Sequence, residues 1–160
     1  MALIVSAATG NFSAGATWVG GVVPGVGDEA RASTGHTITI DVDTTCDEVS
    51  NAGTGIFTLA NGVTLTANVT NKSTTTSRNC LQFTAASPAT ASIVGNVTGG
   101  TVSGAVGVAF TSTGTLNITG NIFSATGNGL NLSSTGTLNI TGNSTGGAAS
   151  SIVVTGAGTV

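Results

Sequence analysis

One ten-residue string occurs twice without a change: Ser-Thr-Gly-Thr-Leu-Asn-Ile-Thr-Gly-Asn fills Ser112–Asn121 and again Ser134–Asn143, a period of 22. A chain that returns the same residues at a fixed interval is stacking one structural unit on itself. Looser copies precede these two. Stepping back from Ile118, Thr90-Ala91-Ser92-Ile93-Val94-Gly95-Asn96 follows at a spacing of 25, Thr64-Leu65-Thr66-Ala67-Asn68 at a further 28, and Thr37-Ile38-Thr39-Ile40-Asp41 at a further 27.

Within each copy apolar and polar residues alternate, so the unit is a β-strand. Ile38, Leu65, Ile93, Ile118 and Ile140 fall in one inward column, with Leu116 and Leu138 as inward companions. Thr39, Thr66, Val94, Thr119 and Thr141 form one outward column, and Thr37, Thr64, Ser92, Asn117 and Asn139 another. Asp41, Asn68, Asn96, Asn121 and Asn143 stand where each strand ends. Asn suits a corner because its side chain bonds nearby backbone and tolerates left-handed geometry.

A second strand recurs at the same interval: Val108-Ala109-Phe110, Leu130-Asn131-Leu132 and Ile152-Val153-Val154 are spaced by 22, and Leu81-Gln82-Phe83 holds the same slot at a spacing of 27. Two short strands per repeat, separated by Gly-rich corners, predict an all-β parallel β-helix (β-solenoid) with one rung per repeat. An antiparallel sandwich explains short strands but not identical residues at a constant interval. A helical fold is excluded by the β-branched residues and 25 glycines. Phe83 and Phe110 are expected to stack inside.

Residues 1–34 read as an irregular N-terminal cap and attachment segment, and 35–160 as a solenoid of about five rungs that ends in mid-repeat at Gly158-Thr159-Val160. In the cap, Gly25–Asp28 reads as a turn. Trp18 is expected to lie over the first rung with its indole N–H bonded to a corner carbonyl.

Chemistry-bearing residues are few and one-sided. The 160 residues hold 3 Lys and Arg, 6 Asp and Glu and one His, and none of these follows Arg78. With a net charge of −3, the chain has no electrostatic grip on phosphate, so nucleic-acid binding is not expected. Every apolar run is broken by Gly, Ser, Thr or Asn, so no membrane insertion is expected. Asp41, Asp43, Asp47 and Glu48 have the spacing of strand carboxylates that bind Ca²⁺ or serve a hydrolase. The simpler reading is a solvated acidic face, so no catalytic residue, metal site or cofactor is expected. His36 lacks partners for a metal. Cys46 and Cys80 read as reduced, buried thiols, with a disulfide between them as the alternative. The Asn-Xaa-Ser/Thr triplets, such as Asn68, Asn96 and Asn117, arise from the repeat itself.

The opening pattern Asn11-Phe12-Ser13, Ala16-Thr17-Trp18, Gly20-Gly21, Val23-Pro24 and Gly27-Asp28, followed by Gly35-His36-Thr37-Ile38-Thr39-Ile40-Asp41, resembles the start of parallel β-helix proteins of phage tail fibres and other virion surfaces. It is similar as well to secreted bacterial β-helix adhesins, and the Gly-Thr-Leu-Asn-Ile-Thr-Gly-Asn rungs share the likeness. The resemblance implies a non-enzymatic structural or adhesive protein of the virion surface, a tail or head fibre assembled in host cytoplasm. Its implied partners are other virion proteins, cell-surface carbohydrate and further copies of itself, as a trimer or an end-to-end assembly. The alternative location is the extracellular or cell surface. The binding columns expected are Thr37, Thr39, Thr64, Thr66, Asn117, Thr119, Asn139 and Thr141. The same Thr-Xaa-Thr arrays resemble ice-binding faces, a rival that Ser92, Val94, Asn117 and Asn139 interrupt.

Overall fold

The computed structural model describes residues 1–85 and 89–160. Its strands, in chain order, are β1 (Ala2–Val5), β2 (Gly10–Asn11), β3 (Asp28–Ala32), β4 (Thr37–Ile40), β5 (Thr44–Asn51), β6 (Ile56–Leu59), β7 (Thr64–Thr70), β8 (Asn79–Phe83), β9 (Thr90–Val94), β10 (Val97–Thr98), β11 (Val106–Phe110), β12 (Thr115–Thr119), β13 (Ile122–Phe123), β14 (Leu130–Leu132), β15 (Thr137–Thr141), β16 (Ser144–Thr145) and β17 (Ile152–Val154). All pairing between these strands is parallel, as a coil of strands requires. The fold is a β-solenoid of about seven turns.

One sheet carries β2, β4, β6, β8, β11, β14 and β17 in that spatial order. Each of these strands closes the turn opened by a strand of the other sheet. In that other sheet, β5 and β7 are continuous, whereas from β9 onward each turn breaks into two pieces. The longer pieces β9, β12 and β15 stack on the first half of β7, and the two-residue pieces β10, β13 and β16 stack on its second half. The break falls at Gly95, Gly120 and Gly142, which share φ values of 151°, 151° and 149°.

The core lies between the sheets. Leu65, Ile93, Ile118 and Ile140 form one column in register, and Leu116 and Leu138 form the next. All are buried except Ile140, which packs against the core from the final turn. Across from them, Leu81, Val108, Leu130 and Ile152 align, as do Phe83, Phe110, Leu132 and Val154. Phe83 and Phe110 stack with ring centroids 5.7 Å apart and planes 22° from parallel.

Three expectations change. Ile38 is buried but belongs to the opposite sheet, where β4 aligns it with Phe57; Thr44 precedes Leu65 in the inward column. Thr44 occupies that inward place by donating its hydroxyl to the Val42 carbonyl. Second, the strands do not begin at residue 35. β1, β2 and β3 all lie inside the ladders, which is why the coil has about seven turns rather than five. Within residues 1–34 the long irregular stretch lies between β2 and β3, with two single-turn 3₁₀ segments at Gly15–Thr17 and Val19–Gly21. There Trp18 packs edge-on against Phe12 and donates its indole N–H to the Phe12 carbonyl at 2.8 Å. Third, the asparagines at the corners are not left-handed. Glycine supplies the positive φ, and each Asn side chain accepts the backbone N–H of the next: Asn68 from Asn96, Asn96 from Asn121, Asn121 from Asn143. Asp41 lies outside this ladder; Glu48 precedes Asn68 in it.

Candidate functional site

Strand alternation turns every second residue of β7, β9, β12 and β15 outward, and parallel pairing sets these residues in straight columns. Thr64, Ser92, Asn117 and Asn139 make one column. Thr66, Val94, Thr119 and Thr141 make its neighbour, with Thr45 in front of Thr66. A third column, Thr90, Thr115 and Thr137, flanks them on the other side. The sequence carried its signal, since Thr115 and Thr137 lie two places before Asn117 and Asn139 in the repeated string, but only the register sets the column beside the others. Adjacent rows are about 4.8 Å apart and alternate residues about 6.6 Å along a strand. The face is neutral and hydroxyl-rich. Asn139 donates its side-chain N–H to the Asn117 side-chain oxygen at 2.9 Å, fixing both amides along the column. Val94, exposed, is the apolar interruption.

Thr37 and Thr39 do not join this face. They lie on β4, in the opposite sheet, where Thr39 aligns with Thr58, Gln82, Ala109, Asn131 and Val153. Of the eight expected binding residues, the structure therefore brings together Thr64, Thr66, Asn117, Thr119, Asn139 and Thr141.

The charged residues serve the leading turns. Glu29, on β3, accepts Arg31 Nη2 at 2.6 Å, Lys72 Nζ at 2.9 Å and the Ser50 hydroxyl at 2.6 Å. Lys72 also reaches Glu48 at 2.8 Å, so one ammonium ties carboxylates from two successive turns. Burial works to raise the Glu29 pKa, but the hydrogen bonds from Ser50, Lys72 and Arg31 outweigh it and bring the carboxyl down to about 2. Lys72 loses solvation too, yet its bonds to Glu48 and Glu29 hold its pKa above the usual lysine value.

The remaining carboxylates are spent on turns. Asp41 and Asp43 lie between β4 and β5 rather than on a strand. Asp41 accepts the Ser13 N–H and hydroxyl, and these bonds overcome its partial burial to lower its pKa. Asp43 accepts the Thr64 N–H at 2.8 Å, and Asp47 accepts the Gly27 N–H at 3.0 Å. Asp41, Asp43, Asp47 and the Lys72-bound Glu48 thus serve four different contacts and do not converge. His36 Nδ1 pairs with the buried Ser6 hydroxyl at 2.8 Å. Cys46 and Cys80 are free thiols; burial pushes Cys46 up to about 12, with the Asp47 charge adding to it, and burial raises Cys80 as well. Among the described residues no three His, Cys, Asp or Glu side chains are grouped to hold a metal ion. No helix among them is long and apolar enough to cross a membrane.

No protein family, curated protein or solved structure matches the chain.

Proposed function

We propose that this chain is a non-enzymatic rod for surface display, a structural or adhesive component of a virion tail or head fibre. The observation that supports this most directly is the division of labour along the rod. Ionisable side chains of the leading turns are consumed in capping turns and bridging strands, while the later turns present in-register Thr, Asn and Ser. Such a face makes only neutral hydrogen bonds, which suits a spacer or weak contact with cell-surface carbohydrate. The likeness of the opening segment and rungs to phage fibre proteins adds the virion to this reading, with residues 1–34 as the attachment end. Exposed Leu3, Val19, Val22 and Val26 at that end agree with it. Antibodies raised against the chain should decorate the tail or head of particles whose genome encodes it. Labelling of a bacterial surface, with bare particles, would move the protein to the adhesins.

A second reading has one observation in its favour, the two threonine columns that flank the Asn column in register. It makes the face an ice-binding surface. Inhibition of ice recrystallisation that Thr119→Lys abolishes would favour it over display.

A further inference from the structure

We infer that Asn128 is a self-modifying site, whose side-chain amide cyclises onto the Gly129 nitrogen and, with water as co-reactant, becomes aspartate or isoaspartate just ahead of β14. The inference is independent of what the outward faces bind.

Asn-Gly occurs twice in the chain, at Asn61-Gly62 and at Asn128-Gly129. This is the reactive dipeptide because glycine has no Cβ to crowd the approach of its nitrogen to the preceding side chain, and its backbone bends readily to permit it. Exposure alone would favour Asn61, which stands exposed on a turn while Asn128 is half-buried.

Hydrogen bonding reverses that order. Asn61 Oδ1 accepts the Thr90 N–H at 2.9 Å, and the Gly62 N–H donates to the Thr90 carbonyl at 2.7 Å. Both reacting groups are fastened to the next turn, and both must let go before a ring can close. At the second pair, neither the Asn128 side chain nor the Gly129 N–H has a hydrogen-bond partner among the described residues. What is held there is the pair of backbone carbonyls: that of Asn128 accepts the Gly107 N–H at 3.1 Å and that of Gly129 the Val108 N–H at 3.0 Å. The nucleophile and its target stay free.

The Gly129 nitrogen gives up its proton to hydroxide and attacks Asn128 Cγ. The N–Cγ bond forms, the Cγ–Nδ2 bond breaks, and ammonia leaves after taking a proton from water, which restores the hydroxide. Water then opens one of the two C–N bonds of the succinimide. Opening at Cγ leaves aspartate, and opening at the backbone carbonyl leaves isoaspartate.

Either product puts a carboxylate into the part of the chain beyond Arg78, where there is no Asp, Glu, Lys, Arg or His. Isoaspartate also routes the backbone through Cβ and Cγ, one carbon longer. Gly129 has no room for the extra atom: a Cβ built on it would lie 2.5 Å from Ile122 Cγ2 and 2.8 Å from the Ser151 carbonyl oxygen. The added length therefore falls on Leu130 and Leu132, both buried, and on the Leu130 N–H that donates to Ser151 at 2.8 Å. Conversion loosens β14 and the β17 strand paired with it.

The test is to age the folded protein in mildly alkaline buffer, digest it with chymotrypsin and read both Asn-Gly pairs by mass spectrometry, with electron-transfer fragmentation to separate isoaspartate from aspartate. In the folded protein Asn128 should convert at least about tenfold faster than Asn61, the effect of two hydrogen bonds that must break first. In urea, where both pairs are free, the two rates should converge, which separates the effect of the fold from that of the dipeptide. The melting temperature of the parent should fall in step with Asn128 conversion, whereas Asn128→Gln, with the parent's circular dichroism, should keep its melting temperature over the same period. Folded Asn61 converting as fast as Asn128, Asn128 reacting in urea but not in the folded protein, or an equal fall in melting temperature for Asn128→Gln would each overturn the inference.

Discussion

At the corner of each later turn, glycine carries the geometry and asparagine the bonding. A Cβ on Gly120 would lie 2.1 Å from the Gly95 carbonyl oxygen, and one on Gly142 2.1 Å from that of Gly120, at φ values that L side chains rarely adopt. Gly120→Ala should therefore lower stability by well over about 1 kcal/mol in urea titrations. Gly25→Ala, where a Cβ meets nothing within 4 Å, should stay within about 0.5 kcal/mol. The Glu29 cluster answers to acid instead. The carboxyl titrates near 2 in the folded protein against 4.5 ordinarily, so folding lowers its pKa and its stabilisation is complete above the ordinary value. That contribution should fade as the pH falls from about 4.5 through about 2. Glu29→Gln should be less stable at neutral pH and should show a flatter loss across the same window.

Between neighbouring turns, cohesion comes from in-register columns, and two of them can be tested directly. Ile118 is buried in an apolar column between Ile93 and Ile140, where a charge would be stripped of water, so Ile118→Asp should leave the chain unfolded by circular dichroism. Phe83→Ala and Phe110→Ala should each cost about 3–5 kcal/mol, and the double-mutant cycle should show coupling of about 0.5–1.5 kcal/mol for the stacked pair. The later turns were legible in the sequence to the residue, because their spacing is constant: the step from Val108 to Leu130 equals that from Leu130 to Ile152 and that from Ile118 to Ile140. The leading turns were not, because a solenoid fixes where strands meet but leaves the length of its outer loops free. In the inward column the residue before Leu65 is Thr44, whereas the longer step suggested by the later copies lands on Ile38 in the other sheet. The same slip carried Thr37 and Thr39 onto the candidate face. Strand β3 escaped notice for a different reason: Asp-Glu-Ala-Arg-Ala alternates between small apolar and charged residues, and its burial depends on the Glu29 ion pairs.

Across the whole molecule, the turns are not equivalent. Ion pairs and capping carboxylates give each leading turn a particular neighbour. The turns built on β12 and β15 share one sequence and stack on what precedes them through the same contacts: Thr115 to Thr90, then Thr137 to Thr115. Stability in such an array is close to a sum over neighbouring turns, so one repeat can leave without disturbing the rest. Deleting 112–133 removes one full period and joins Thr111 to Ser134, which restores the serine, glycine and TLNIT pattern at every junction. β15 then falls on β9 and β17 on β11, each in the register the deleted strands held. The shortened chain should fold, with a cooperative melt slightly below that of the parent. Small-angle scattering should find its long dimension reduced by about 4.8 Å, the spacing of one strand. Deleting 112–122, half a period, brings residues 126–130 where β12 had been, with Gly127 and Gly129 in the buried places of Leu116 and Ile118 and Leu130 in the outward place of Thr119; that variant should aggregate or remain unfolded. If both deletions behave alike, the turns do not act as interchangeable units, and the repeat would have to be read as a property of the sequence alone.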